Sequence, residues 1–172
     1  MARDVLGKVL VRKLRGMEVW GRLVEVEAYL GPDDRCAHSY GGHRSPRNEV
    51  MYGEAGHAYV YFTYGMHHCL NFVTREPGLP QAVLVRALEP GPGVDRCSGP
   101  GLVCRSLDID RALNGAALQP PALYVLDDGF RPERIYVTPR VGVGTGEWSD
   151  RPLRFCLDSP YLSRPLPKGL KD

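Results

Sequence analysis

The sequence predicts a mixed α/β (α+β) protein: a single domain on a curved, mostly antiparallel sheet with few short helices and a β-hairpin. Three observations carry this. Runs of alternating apolar and polar residues recur at strand length. The 20 glycines and 15 prolines of the 172 residues divide the chain into short elements joined by ordered turns. Helical spacing of apolar residues appears clearly in one short stretch only.

Val9 to Leu14 reads as a strand, Arg15-Gly16 as a tight turn, and Glu18 to Tyr29 as the return strand,. In the latter, Val24, Val26 and Ala28 alternate with Glu25, Glu27 and Tyr29, so the glutamates and Tyr29 share the face opposite the valines,. Gly31-Pro-Asp-Asp34 ends the strand, and a polar loop rich in arginine and histidine follows to Pro46. His57 to Met66 is the most aromatic run. With Tyr64-Gly65 able to turn and Cys69 to Val73 returning, it predicts a hairpin,. Gln81 to Leu88 is the next strand, closed by Pro90 and a Gly/Pro-rich connection. Gly101 to Leu107 is the helix, and residues 122–126, 133–137 and 152–157 give three more strands. Residues 163–172 read as a peripheral tail.

Composition narrows the classes. No run approaches the apolar length of a membrane span, and the N-terminus lacks the apolar core of a secretory signal, so a cytoplasmic protein is expected,. Five scattered cysteines argue against a disulfide framework,. A net charge of +2 announces no partner, although the 22 basic residues are mostly arginine, which favours bidentate contacts,. Neither Cys36-Ala-His38 nor His67-His68-Cys69 has a zinc spacing, and no metal is expected,. The Gly-rich segments lack a nucleotide-loop context, and the four lysines stand apart from the aromatic run, which disfavours imine chemistry; no cofactor is expected,.

Two features point to a site. Glu27 sits mid-strand, where an ionised carboxylate is costly to bury. Its face is either simply solvated or lines a wet cleft, in which Glu27 could deprotonate a water. Tyr59 and Tyr61 share a face and suit core packing or stacking on a planar ligand. Tyr64, at the turn, would expose its ring without a partner unless it served as a wedge in a duplex.

The strings Val24-Glu-Val-Glu-Ala-Tyr-Leu-Gly31, Ala37-His-Ser39, Ser45-Pro-Arg-Asn48, Tyr59-Val-Tyr61 with Tyr64-Gly-Met66, Arg86-Ala-Leu-Glu-Pro90 and Cys97-Ser-Gly-Pro100 closely resemble the alkyladenine (3-methyladenine) DNA glycosylase family. They recur in order over almost the whole chain. The resemblance implies a fold similar to the formyltransferase C-terminal domain, with a hairpin projecting into the DNA minor groove. It implies an enzyme of base excision repair; a monomer is expected because no oligomerisation feature stands out, and the compact form reads as bacterial and nucleoid-associated. Such an enzyme hydrolyses the N-glycosidic bond of damaged purines (3-methyladenine, 7-methylguanine, hypoxanthine, ethenoadenine) in double-stranded DNA without cutting the strand.

By motif position, Glu27 would be the general base, with His38 and the main-chain carbonyl of Arg86 holding the water. Tyr29 and His38 would lie on one face of the flipped base and Tyr61 on the other, and the His38 amide would reach the base edge. Asn71 would disfavour normal guanine. Tyr64 would fill the space left in the stack, with Tyr59 and Met66 supporting pocket and hairpin. Arg22, Arg35, Arg44, Arg47 and Arg96 are candidate phosphate contacts by general basicity.

Two departures stand out. The family's helical segment after the Arg-Ala-Leu-Glu-Pro string is absent here, and the remainder is expected to close over the gap. His67 and His68 replace residues that are commonly aromatic. A damaged-DNA binding module without turnover is therefore the alternative. RNA binding by analogy to the formyltransferase domain would explain neither Glu27 nor Tyr64.

Overall fold

A computed structural model describes residues 1–170. Among these residues eight strands join in one antiparallel sheet: β1 (Val9–Leu14), β2 (Met17–Tyr29), β3 (Ala58–Thr63), β4 (His67–Val73), β5 (Ala82–Pro90), β6 (Leu123–Leu126), β7 (Tyr136–Thr138) and β8 (Arg154–Cys156). The main order is β3-β4-β5-β2-β1-β6, with β8 beside β2 and β7 beyond it. Three short helices, α1 (Ala2–Val5), α2 (Pro100–Ser106) and α3 (Glu147–Asp150), complete the mixed α/β architecture.

β2 organises the sheet. One edge pairs with β1 through Arg22 and then with β8 from Glu25 to Glu27, while the other follows β5. Its register with β5 shifts on both sides of Glu25. Such bulges bend and twist a sheet, and this one falls where β2 changes partner. The second of the three late strands lies at 136–138 rather than 133–137, because its pairing with β8 sets Tyr136 opposite Cys156 and Thr138 opposite Arg154.

Alternation decides the two faces. Val24, Val26, Val60, Leu70, Phe72, Val83, Val85 and Ala87 enter the main core with Val103, Cys104 and Leu107 around α2. The residues between them face the other way. The chain after Pro90 closes on itself: Gly91 donates to the Trp20 carbonyl, Leu88 N–H donates to the Cys97 carbonyl, and Cys97 is fully buried.

The expectation of a peripheral tail needs correcting at its start. Arg164, Pro165 and residues 167–169 are exposed, but the Ser163 N–H donates to Glu25 Oε2 at 2.6 Å. A buried carboxylate recruits the nearest donors, and here the chain end supplies one. Lys171 and Asp172 lie outside the described residues.

Candidate active site

Cross-strand register lines up one row of side chains: Tyr59 opposite Asn71, Asn71 opposite Leu84, Leu84 opposite Glu27, and Glu27 opposite Arg154. Three interstrand steps separate Tyr59 from Glu27, about 14 Å between Cα atoms. Above this face lies a cleft of about 560 Å³, with Tyr29, His38, Tyr59, Tyr61, Tyr64, Asn71 and Arg86 among its walls. Of the expected catalytic, base-binding and hairpin residues, Met66 and Glu27 are not on those walls, and of the five candidate phosphate-contact arginines only Arg35 is.

Glu27 is fully buried, which overturns the reading of its face as solvated. It lies beneath wall residues rather than on the wall. Its Oε1 accepts the Val141 N–H at 2.7 Å; Oε2 accepts from the Tyr29 hydroxyl at 3.1 Å and from Arg86 Nη1 at 3.5 Å. Burial pushes its pKa above the ordinary carboxylate value, and the charge of Arg86 and these two donors only partly offset that,. Burial and the neighbouring Glu27 also raise Tyr29, keeping its hydroxyl protonated as a donor. The Arg86 side chain also reaches Glu27, a contact that the motif reading, which gave its carbonyl a part in holding the water, did not name.

Glu25, two residues earlier on the same face, is also fully buried. It accepts from Arg86 Nε at 3.0 Å, Arg154 Nε at 2.8 Å and the Ser163 hydroxyl at 2.7 Å. Two carboxylates and two guanidiniums thus balance in charge, which is what allows them in the interior.

His38 hangs over the cleft from the loop after β2. Its Nδ1 shares a 2.8 Å hydrogen bond with the Tyr59 hydroxyl, and its carbonyl accepts from Asn48. Burial, with Arg47 and His43 nearby, lowers its pKa, so the ring is neutral. Its ring meets Tyr61 edge-on at 4.6 Å between centroids. A flat ligand between facing rings needs about 7 Å, two van der Waals contacts. The slot expected between these two rings is therefore shut here.

The loop carrying His38 is fastened by a pair that the sequence reading did not single out. Asp34 and Arg140 have fully buried side chains and meet through two hydrogen bonds of 2.6 and 2.8 Å. Asp34 also accepts the N–H groups of Leu30 and Cys36, while Arg140 stacks over the Tyr29 ring and bonds the carbonyls of Ala28 and Trp148. Burial alone would raise the Asp34 carboxyl. Arg140 and the two amides outweigh it and hold the pKa below the ordinary value.

The hairpin tip is open. Tyr64 is 84% exposed and adopts φ +52°, left-handed for a residue with a side chain, and Gly65 follows at +65°,. Met66 and Phe62 are exposed beside it. Asn71 is buried, its amide donating to the Tyr59 carbonyl at 3.2 Å. The arginines divide. Arg35 lines the cleft, and Arg47 lies over Tyr61 and donates to the Phe62 carbonyl. Arg96 is exposed after Pro90. Arg44 is engaged by Glu49, and Arg22 by Asp128 beside the β1 half of β2, away from the cleft walls. Basicity marked all five alike; only position separates them. Among the described residues no three histidine, cysteine or acidic side chains gather as metal ligands, and no helix is long and apolar enough to cross a membrane.

The fold and site define the class as a mixed α/β protein whose single antiparallel sheet carries a buried carboxylate beneath an aromatic cleft, beside a hairpin ending in an exposed tyrosine. The chain belongs to the family described as Methylpurine-DNA glycosylase (MPG), whose pattern it matches over residues 1–160. It is 46% identical over 186 aligned positions to a protein of Desulfitobacterium hafniense (strain Y51), covering 95% of this chain and 92% of that one. It is 47% identical to one from Anaeromyxobacter dehalogenans (strain 2CP-1 / ATCC BAA-258), covering 97% and 81%, and 43% identical to one from Methanocella arvoryzae (strain DSM 22066 / NBRC 105507 / MRE50), covering 97% and 91%. All three bear the provisional name 3-methyladenine DNA glycosylase. The Desulfitobacterium alignment has more positions than this chain has residues, so that relative carries residues without a counterpart here. Membership supports a glycosylase-type activity on DNA.

Proposed function

We propose that this chain, acting as one domain of the formyltransferase C-terminal type, is a monofunctional glycosylase. It hydrolyses the N-glycosidic bond of alkylated or deaminated purines in duplex DNA. The observation that carries this reading is Glu27: a buried carboxylate of raised proton affinity, held just under the cleft by Tyr29, Arg86 and the Val141 amide.

Purine chemistry of this kind needs the nucleotide out of the stack, at a cost of a few kcal/mol. Tyr64, exposed at the tip, fills the gap it leaves. The purine enters the cleft as His38 and Tyr61 part by about 2–3 Å to stack on its faces, with Tyr29 beside His38. Asn71, fixed by the Tyr59 carbonyl, meets the base edge and excludes the amine of guanine. Arg35 and Arg47 steady the backbone from the cleft rim.

As the C1′–N9 bond breaks, its electron pair leaves with the base and positive charge builds on the sugar. The Glu27 carboxylate stabilises that charge and takes a proton from the water that bonds to C1′. A base already cationic, such as 3-methyladenine, leaves as a neutral molecule; hypoxanthine needs a proton from elsewhere.

The complete burial of Glu27 and the closed His38–Tyr61 contact favour one second reading, a damage-binding module that never admits the water. Single-turnover incubation with duplexes carrying 3-methyladenine, 7-methylguanine, hypoxanthine or ethenoadenine separates the two. Released base and an uncut abasic strand are expected. Tight binding to a damaged duplex without release from any of them would favour the module.

A further inference from the structure

We infer that Ser163 is a positioning residue that, with Glu25, holds Arg86 back from Glu27, so that the segment after β8 completes the active centre. The inference rests on the glycosylase reading above and extends it to a residue outside the cleft.

Arg86 lies between two buried carboxylates and is shared unequally. Its Nε is 3.0 Å from Glu25 Oε1, whereas its contacts to Glu27 are long, 3.4 Å from Nε and 3.5 Å from Nη1. Ser163 makes the difference. Its hydroxyl accepts from Arg86 Nε at 3.2 Å and Nη2 at 3.1 Å, and donates to Glu25 Oε1 at 2.7 Å. Its N–H holds Glu25 Oε2. Arg154 anchors the assembly from β8, bonding Glu25, Thr138 and the Arg164 carbonyl.

The consequence is chemical. A guanidinium seated squarely on a carboxylate stabilises its ionised form and makes it a poor base. Drawn toward Glu25 and Ser163, Arg86 gives Glu27 only a distant positive charge. Glu27 then keeps the raised proton affinity that burial gives it. The other groups facing Glu27 are Tyr29 and Glu25 on its own strand, Arg154 and Cys156 on β8, and the Val141 amide. Removing the Ser163 hydroxyl takes an acceptor from both Nε and Nη2 of Arg86, and the guanidinium is then free to turn toward the Glu27 oxygens that already lie 3.4 and 3.5 Å from it.

The test is the pH profile of single-turnover base release from a hypoxanthine duplex, for the unaltered protein, Ser163→Ala and Ser163→Thr. Ser163→Ala is expected to move the acidic limb to lower pH by about one unit and to slow release about three- to tenfold. Affinity for the duplex should not change, and Ser163→Thr should restore both properties. A merely structural role would lower the active fraction and leave the limb in place, which overturns the inference, as does a Ser163→Ala profile matching the unaltered protein. No release by the unaltered protein from this or the other damaged duplexes overturns the glycosylase reading first, and this one with it. Should Ser163→Ala lose its cooperative melt, Ser163→Cys replaces the hydroxyl by a weak donor at similar volume and carries the same comparison.

Discussion

Replacing Asp34 by alanine is expected to cost about 3–5 kcal/mol, the penalty for stranding one charge of a buried pair. The structure gives the reasons. Asp34 and Arg140 are both fully buried, and the carboxylate accepts two guanidinium bonds and the N–H groups of Leu30 and Cys36. Alanine removes the acceptor of all four bonds, and the Arg140 charge is left with only the carbonyls of Ala28 and Trp148. In a domain of this size that loss is expected to lower the melting temperature by about 6–20 °C. Because the folded Asp34 pKa lies below its unfolded value, its contribution is present above the unfolded pKa and lost as pH falls through the folded one. The wild-type midpoint should therefore drop steeply in acid, and that of Asp34→Ala less so. Adding Arg140→Met removes the stranded charge and should return about 1–2 kcal/mol. Calorimetric and urea melts of the three proteins between pH 3 and 7 measure all of this. A single-variant cost under about 1 kcal/mol would refute the claim that this pair fastens the loop carrying His38.

Tyr64→Ala should change stability by less than about 0.5 kcal/mol, since the ring is mostly exposed,. It should nevertheless weaken damaged-duplex binding at least about tenfold by fluorescence anisotropy, because the wedge is gone. Gly91→Val should cost about 1–3 kcal/mol by urea melt, because even a Cβ there would lie 2.6 Å from the Trp20 indole,. His38 has a folded pKa below its unfolded one, so its stabilising effect is present at neutral pH and is lost as pH falls through the unfolded value toward the folded one,. His38→Gln should remove that part of the pH dependence, read as melting temperature between pH 5 and 8.

The strands that build the cleft were legible because their two faces differ. Valine and alanine at every second position of β2 fixed which way Glu27 and Tyr29 point, and Tyr-Gly at the end of an alternating run marked the exposed tip. Burial was not legible. Glu25 and Glu27 look like a solvated edge because the groups that bury them come from far along the chain. Arg86, Arg154 and Ser163 lie 61, 129 and 138 residues from Glu25, and no local periodicity reports such partners. Asp34 read as a turn former for the same reason, since Arg140 is 106 residues away. A useful signal was present in the arginines, which outnumber the lysines. An arginine inside an apolar strand, as Arg86 and Arg154 both are, requires a buried acid to meet it.

The role of Glu27 is tested most directly by single-turnover release of hypoxanthine and 7-methylguanine from duplex DNA by the native protein and by Glu27→Gln. Glutamine keeps the shape and can still accept the Val141 N–H, but it can neither take a proton from water nor offer charge to the sugar. Release by the native protein and a loss of about a hundredfold or more in the variant, with duplex binding retained, is the expected result. Equal rates for the two proteins would remove Glu27 from the chemistry and contradict the mechanism built on it.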